Sequence, residues 1–163
     1  MLTDIGFNTP GGYFEITDVT FPVACDDGTV GPDSALRKWS DMLLDIGKKI
    51  GRDLDAAKSY KEEMEKVGYT DIGVRVDVWP MNRWPKGAKN KEIGMDDKPY
   101  RRETRTDINP GAWNLQNVLS GLDGFTMATF TRIFGWTPED VELFLVNVRK
   151  EMKDIKIHAY WNM

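Results

Sequence analysis

The sequence predicts an α/β chain in which a short open sheet is packed against several helices, and three observations carry that expectation. Ile72, Val74, Val76 and Val78 alternate with Asp71, Gly73, Arg75 and Asp77, the period-two signature of a strand with one wet face. Four stretches repeat large apolar residues at three- and four-residue steps, the signature of helices with one buried stripe. Near the start, Pro10-Gly11-Gly12 leads into Tyr13, Phe14, Ile16, Thr17 and Val19, a turn feeding a run of β-formers.

In chain order, residues 13–19 are read as the first strand, with Gly11 and Gly12 supplying the backbone freedom of its turn. Phe21 to Pro32 contains Pro22, Asp26-Asp27-Gly28 and Gly31, which is loop chemistry. Asp33 or Ser34 caps a helix carrying Leu36, Trp39, Leu43, Ile46 and Ile50, ended at Gly51. A second helix uses Ala57, Tyr60, Met64 and Val67 and ends at Gly68, before a strand over Tyr69 to Trp79 that Pro80 closes. Pro80 to Gly111 is rich in proline, glycine and mixed charge and is read as a long loop without a buried element. Helical spacing resumes over Trp113 to Phe134, with Asp123-Gly124 as an expected break. Thr137-Pro138-Glu139-Asp140 opens the last helix through a Thr cap, a Pro in the first turn and acids at the positive dipole end. Ile155 to Trp161 begins a final strand.

Composition limits the function. The 163 residues suit one domain with a real core, being 40% hydrophobic with six Trp, five Tyr and seven Phe. A net charge of −4 disfavours nucleic acid, whose phosphates call for excess Lys and Arg. A single cysteine, Cys25, forms no internal disulfide, and no apolar run is long enough to span a bilayer, so a cytoplasmic or nuclear location is expected.

Candidate site residues are few. Glu15 and Asp18 lie at the carboxyl end of the first predicted strand, where ligands of open α/β sheets collect, or they are a solvated strand end. His158 is the only histidine and hence the only imidazole available for proton transfer, though no partner for it is evident in the sequence. Trp113, Phe130 and Trp136, with Phe125 and Phe134, either wall an apolar substrate pocket or form core. Asp26-Asp27-Gly28 lacks the further oxygen ligands of a calcium loop and reads as a turn. Cys25 has no basic activator beside it. No metal is expected, and no G-x-G-x-x-G loop is present.

Taken together in their order, several pieces resemble the C-terminal half of a fungal family of S-adenosylmethionine-dependent methyltransferases of secondary metabolism, a family that includes a global regulator. They are Pro10-Gly11-Gly12-Tyr13-Phe14-Glu15, Asp26-Asp27-Gly28-Thr29, Asp33-Ser34-Ala35-Leu36 with Trp39, and Trp79-Pro80 with Trp84-Pro85-Lys86. Trp113-Asn114-Leu115, Gly121-Leu122 with Gly124-Phe125, Phe130-Thr131-Arg132, Gly135-Trp136 with Pro138-Glu139, Val148-Arg149-Lys150-Glu151, and Lys156-Ile157-His158-Ala159-Tyr160-Trp161 continue the series. The resemblance implies a partial Rossmann-like methyltransferase fold with a helical cap, in a single incomplete domain. Residues 13–19 and 73–79 would be its fifth and sixth strands, and a seventh would start near Tyr160 and lie between them. It further implies methyl transfer from S-adenosylmethionine to a small-molecule acceptor, with the cofactor-binding half absent from this chain. The alternative is a non-catalytic remnant or regulatory module that binds a protein partner through open sheet edges. Residues 95–112 interrupt the family pattern and are expected to be an insertion or a disordered loop.

Overall fold

A computed structural model describes residues 9, 11–85 and 110–163. Pro10 and residues 95–109 of the expected insertion lie outside the described residues. The elements are helix α1 (Ala35–Lys49), a 3₁₀ turn (Ala56–Ser59), α2 (Tyr60–Lys66), β1 (Val78–Pro80), α3 (Pro110–Thr129), α4 (Pro138–Lys153) and β2 (Tyr160–Asn162). A π turn over Phe130–Phe134 extends α3.

Local sequence signals set the helix ends. Ser34 caps α1 by accepting the Arg37 N–H, and Thr137 caps α4 by accepting the Asp140 N–H. Gly51 and Gly68, just past α1 and α2, take φ of 72° and 99°, the left-handed conformation that favours glycine. The predicted stripes of α1 and α4 form the core, Leu36, Trp39, Leu43 and Ile46 burying against Val141, Leu145, Val148 and Met152. Ile50, expected to continue the α1 stripe, lies past the helix end and is 52% exposed, and of the α2 stripe only Met64 is buried. The predicted break at Asp123-Gly124 is not there. Helix α3 runs through it, because buried Leu122 and the bond from Trp39 Nε1 to Thr126 Oγ1 (2.9 Å) hold the two sides of the glycine to the core. Two glycines at about 1 kcal/mol each relative to alanine do not outweigh such packing.

The strands are much shorter than their sequence signals. Residues 13–19 are not a strand; Tyr13 is fully exposed, and among the described residues no ladder bond reaches this run. β-propensity expresses fit to a pleated, partnered surface, and here no neighbouring strand supplies one. Pairing begins at Thr20, whose N–H donates to Asn162 O (2.9 Å), and continues with the reciprocal Ala24–Tyr160 bonds of 2.8 and 3.0 Å. The alternating run 69–79 forms a ladder only at its end, where Val78–Pro80 pairs antiparallel with Tyr160–Asn162 and Asp77 exchanges bonds with Met163. Val74 and Val76 remain 65% and 64% exposed.

The C-terminal strand β2 therefore lies between segment 20–24 and β1, antiparallel to both. The two outer segments run in the same direction, so residues 25–29 and 81–84 leave the sheet at the edge where 158–159 enter it.

Residues 80–111 were expected to hold no buried element, and the structure corrects this: Met81 and Asn82 are buried, and Gly111 in the first turn of α3 is buried as well. The reason is polar. Asn82 donates from Nδ2 to the carbonyls of Met152, Asp154 and Ile157 (3.1 to 3.2 Å), satisfying the end of α4 and the turn after it.

At the same end of α4, Glu151 reaches α1: its carboxylate accepts the Ser34 hydroxyl (2.6 Å) and the Ala35 and Leu36 N–H groups (3.0 and 2.9 Å). An acid at a helix N-terminus satisfies orphan donors and complements the dipole. Replacing Glu151 by Ala should lower the unfolding free energy by about 2 kcal/mol. Urea denaturation of the two proteins checks this, and an unchanged midpoint would show that the clamp adds nothing beyond the Ser34 cap.

Candidate functional site

At the edge where the outer segments leave the sheet, residues from three distant parts of the chain converge. The loop 25–29 is built as a knot around Asp27. Its Oδ1 accepts the Thr29 N–H (3.1 Å), the Thr29 hydroxyl (2.8 Å) and the Cys25 thiol (3.2 Å), while Cys25 Sγ accepts the Val30 N–H (3.4 Å). The other oxygen, Oδ2, bonds His158 Nδ1. Thr29 Oγ1 also accepts the His158 backbone N–H at 2.8 Å. Both the backbone and the ring of His158 are thus fixed to one loop.

Trp84 completes the arrangement. Its ring lies against that of His158, with centroids 4.9 Å apart and planes tilted by 32°. The indole Nε1 donates to Ala159 O (3.0 Å), and the Trp84 N–H donates to Asn82 Oδ1 (2.9 Å). Beside them, the Tyr160 hydroxyl donates to Asp26 Oδ1 at 2.7 Å.

The electrostatics follow from these bonds. The bond to His158, then those from Thr29 and Cys25, hold the Asp27 carboxyl well below the usual carboxylate range. The Tyr160 phenol is pushed up, first by its bond to the Asp26 carboxylate. An aspartate on Nδ1 favours the tautomer that carries its proton there and leaves the Nε2 lone pair outward. Such a pair can accept a proton and stabilise the resulting imidazolium.

The other sequence candidates go elsewhere. Glu15 and Asp18 are exposed and precede the paired segment instead of following it. Asp18 Oδ2 accepts the Tyr60 hydroxyl (2.6 Å), which pushes the Tyr60 phenol up to about 12. Phe130 is fully buried and packs with Phe134, Trp136 and Phe144 at centroid distances of 5.4 to 5.9 Å. Trp113 is exposed on α3, apart from that cluster. The sequence shows no partner for His158 and presents Asp26-Asp27-Gly28 as a turn. It is a turn, and it is also the partner, 131 residues away. A sole histidine and an Asx-type turn were separate signals in the sequence, and only pairing of β2 with segment 20–24 joins them.

A groove of about 380 Å³ runs between α1 and α4, lined by Asp33, Lys38, Phe144, Asn147, Lys150 and Glu151. Its helix N-terminus is already filled by the Glu151 carboxylate. The α4 N-terminus is likewise closed by Thr137 and Asp140. Neither is open to a nucleoside or an anion. Among the described residues no group of three His, Cys, Asp or Glu side chains is placed to hold a metal, and no helix is long and apolar enough to cross a membrane.

The chain is similar to several fungal proteins. It is 31% identical over 153 residues to the probable methyltransferase tdiE of Emericella nidulans, covering 94% of this chain and 43% of that protein. It is 29% identical over 153 residues to the methyltransferase pytC of Aspergillus terreus, again 94% of this chain and 42% of that one. With the secondary metabolism regulator LAE1 of Cochliobolus heterostrophus the identity is 30% over 156 residues, 94% of this chain and 45% of the relative. The chain spans less than half the length of these relatives. No family profile and no solved structure matches it.

The Asp27 pairing predicts an acid-sensitive latch. A carboxyl held low in the folded state contributes stability that is whole above the ordinary value near 3.8 and is lost as pH falls through the depressed folded value. The urea midpoint of the native chain should therefore drop more steeply below that pH than the midpoint of Asp27→Asn. Parallel acid profiles for the two would show that the latch is not formed in solution.

Proposed function

Because this chain belongs to the fungal family of secondary-metabolism methyltransferases, we propose that it is the acceptor-side part of an S-adenosylmethionine-dependent enzyme that methylates a small molecule. The observation that carries this reading is the sheet edge at which Asp27, Trp84 and His158 meet. Ligands of open α/β sheets bind beyond the carboxyl ends of parallel strands, and segments 20–24 and 78–80 end here. In this reading the two segments and β2 correspond to the fifth, sixth and seventh strands of the family sheet.

The described residues do not fit S-adenosylmethionine. A nucleoside donor calls for a Gly-rich turn opening onto a free helix N-terminus and an acid for the ribose, whereas the Gly31-Pro32-Asp33-Ser34 turn opens onto α1, whose N-terminal N–H groups are held by Glu151. The donor would then be held by sequence corresponding to the part of the relatives that this chain does not span. What these residues supply is orientation of the acceptor: Trp84 offers a flat apolar surface, and His158, fixed by Asp27 and Thr29, offers one hydrogen-bonding nitrogen. Alignment of reacting groups provides much of the acceleration of a displacement at a methyl carbon.

A second reading, docking of a protein partner onto the open sheet, is favoured by the exposed side chains of Val74, Val76 and Val78 and by those of Phe14 and Ile16. Unpartnered apolar edges template strand addition. Val76→Lys would then reduce self-association of the chain in sedimentation velocity, and equal association of both proteins would remove this reading.

The methyl-transfer reading is tested by equilibrium dialysis with labelled S-adenosylmethionine. No saturable binding at micromolar concentrations is expected for the 163-residue chain, and a fusion carrying the portion of tdiE outside the matched segment should bind it and label small molecules of a fungal extract. Micromolar binding by the chain alone sinks the division of labour; a fusion that binds the donor but labels nothing sinks the methyl-transfer reading.

A further inference from the structure

We propose that the Asp27–His158 pair is a proton acceptor for an aromatic hydroxyl whose ring lies on Trp84, so that the acceptor molecule is a phenol. This rests on the reading that the sheet edge holds the acceptor, and it adds both the proton's destination and the chemical class. The geometry is that of a positioned base. Asp27 Oδ2 holds Nδ1, Thr29 Oγ1 holds the His158 backbone, and Trp84 covers one face of the ring, so that among the described residues Nε2 is the ring nitrogen without a bonded partner. His158 is about one-third exposed, enough for a ligand group to reach it. Trp84 is itself half-buried and fixed at two atoms, by Asn82 and by Ala159, so the flat surface beside the base is rigid.

The class follows from matching acidities. Imidazole has a pKa of about 6.5 and a phenol about 10, a gap that a positioned pair with a carboxylate behind it can bridge, whereas aliphatic hydroxyls and indole N–H groups are far weaker acids. The charged and titratable groups bonded together at the edge are Asp26, Asp27, Cys25, His158 and Tyr160; Arg83 beside Trp84 is exposed, and among the described residues no Lys or Arg is bonded to them. A carboxylate or phosphate on the ligand would meet the Asp26 and Asp27 carboxylates, so an uncharged ring with one weakly acidic hydroxyl fits. The step is balanced simply: the phenol O–H bond breaks, its proton forms Nε2–H, the electron pair stays on oxygen, and Asp27 faces the new imidazolium charge.

4-Nitrophenol is the probe, since its phenolate has a visible absorption band, and 4-nitroanisole is the same ring without the proton. Titrated with the full chain, the bound phenol should ionise with an apparent constant raised by about tenfold or more relative to buffer. His158→Asn keeps an amide N–H for Asp27 but has no base; it should bind the probe with the enhancement lost. Trp84→Leu should weaken binding of both probes. If both rings bind through Trp84 but the ionisation of 4-nitrophenol is the same in native chain and His158→Asn, the proton-acceptor inference is overturned while the edge remains an acceptor site. If neither ring binds, the inference falls together with the reading of the edge as the acceptor site.

Discussion

The amide of Asn82 is the contact on which the arrangement of this chain most depends. Only 1% exposed, it donates to three carbonyls where α4 ends and the chain turns toward β2, and accepts the Trp84 N–H through its oxygen. A buried helix terminus with unpaired carbonyls costs roughly 1 to 3 kcal/mol per group, so one side chain resolves the main polar problem created by bringing α4 back to the sheet. The same bonds fix where β2 begins. Met81 N–H then donates to Ala159 O, and Asn114 Nδ2 donates to Pro80 O, tying α3 to the same corner.

From that corner the candidate site is a consequence of strand order. Because β2 runs antiparallel between segment 20–24 and β1, the residues after the two outer segments and those before β2 emerge side by side. The Asp27 knot, Trp84 and His158 come from those three exits. None is held by its own local structure alone: His158 needs the loop at 25–29, Trp84 needs Asn82 and Ala159, and both loops need the sheet. A change in β2 register would flip Tyr160 and Trp161 to opposite faces, removing the Asp26–Tyr160 bond and the packing of Trp161 on Phe21 and Trp39 together.

The helical layer is held more simply. Stripes of α1 and α4 share a dry core, Glu151 clamps the start of α1, and the aromatic group Phe130, Phe134, Trp136 and Phe144 closes the end of α3 where its last turn widens to a π turn capped by left-handed Gly135. The sheet is its opposite in character. The runs flanking it, residues 13–17 and 74–77, lie outside the ladder and display Tyr13, Phe14, Ile16, Val74 and Val76 to solvent, while the hydrogen-bonded part is three short segments.

The sequence by itself determined what is decided within a few residues: the Ser34 and Thr137 caps, the glycine stops at 51 and 68, the buried stripes of α1 and α4, and the ordered series of motifs that marks the family. Each is set by backbone donors and side chains no more than about a turn apart, which is why these features survive folding unchanged. Strand extent was not decided there, because a β-former run such as 13–19 becomes a ladder only when another segment supplies its partners. Nor was the site: His158 and Asp27 are unremarkable alone, and Asn82 sat in a stretch that reads as loop. Only tertiary structure, by burying Asn82 under α4 and placing β2 between its two neighbours, brought a lone histidine to the carboxylate that orients it.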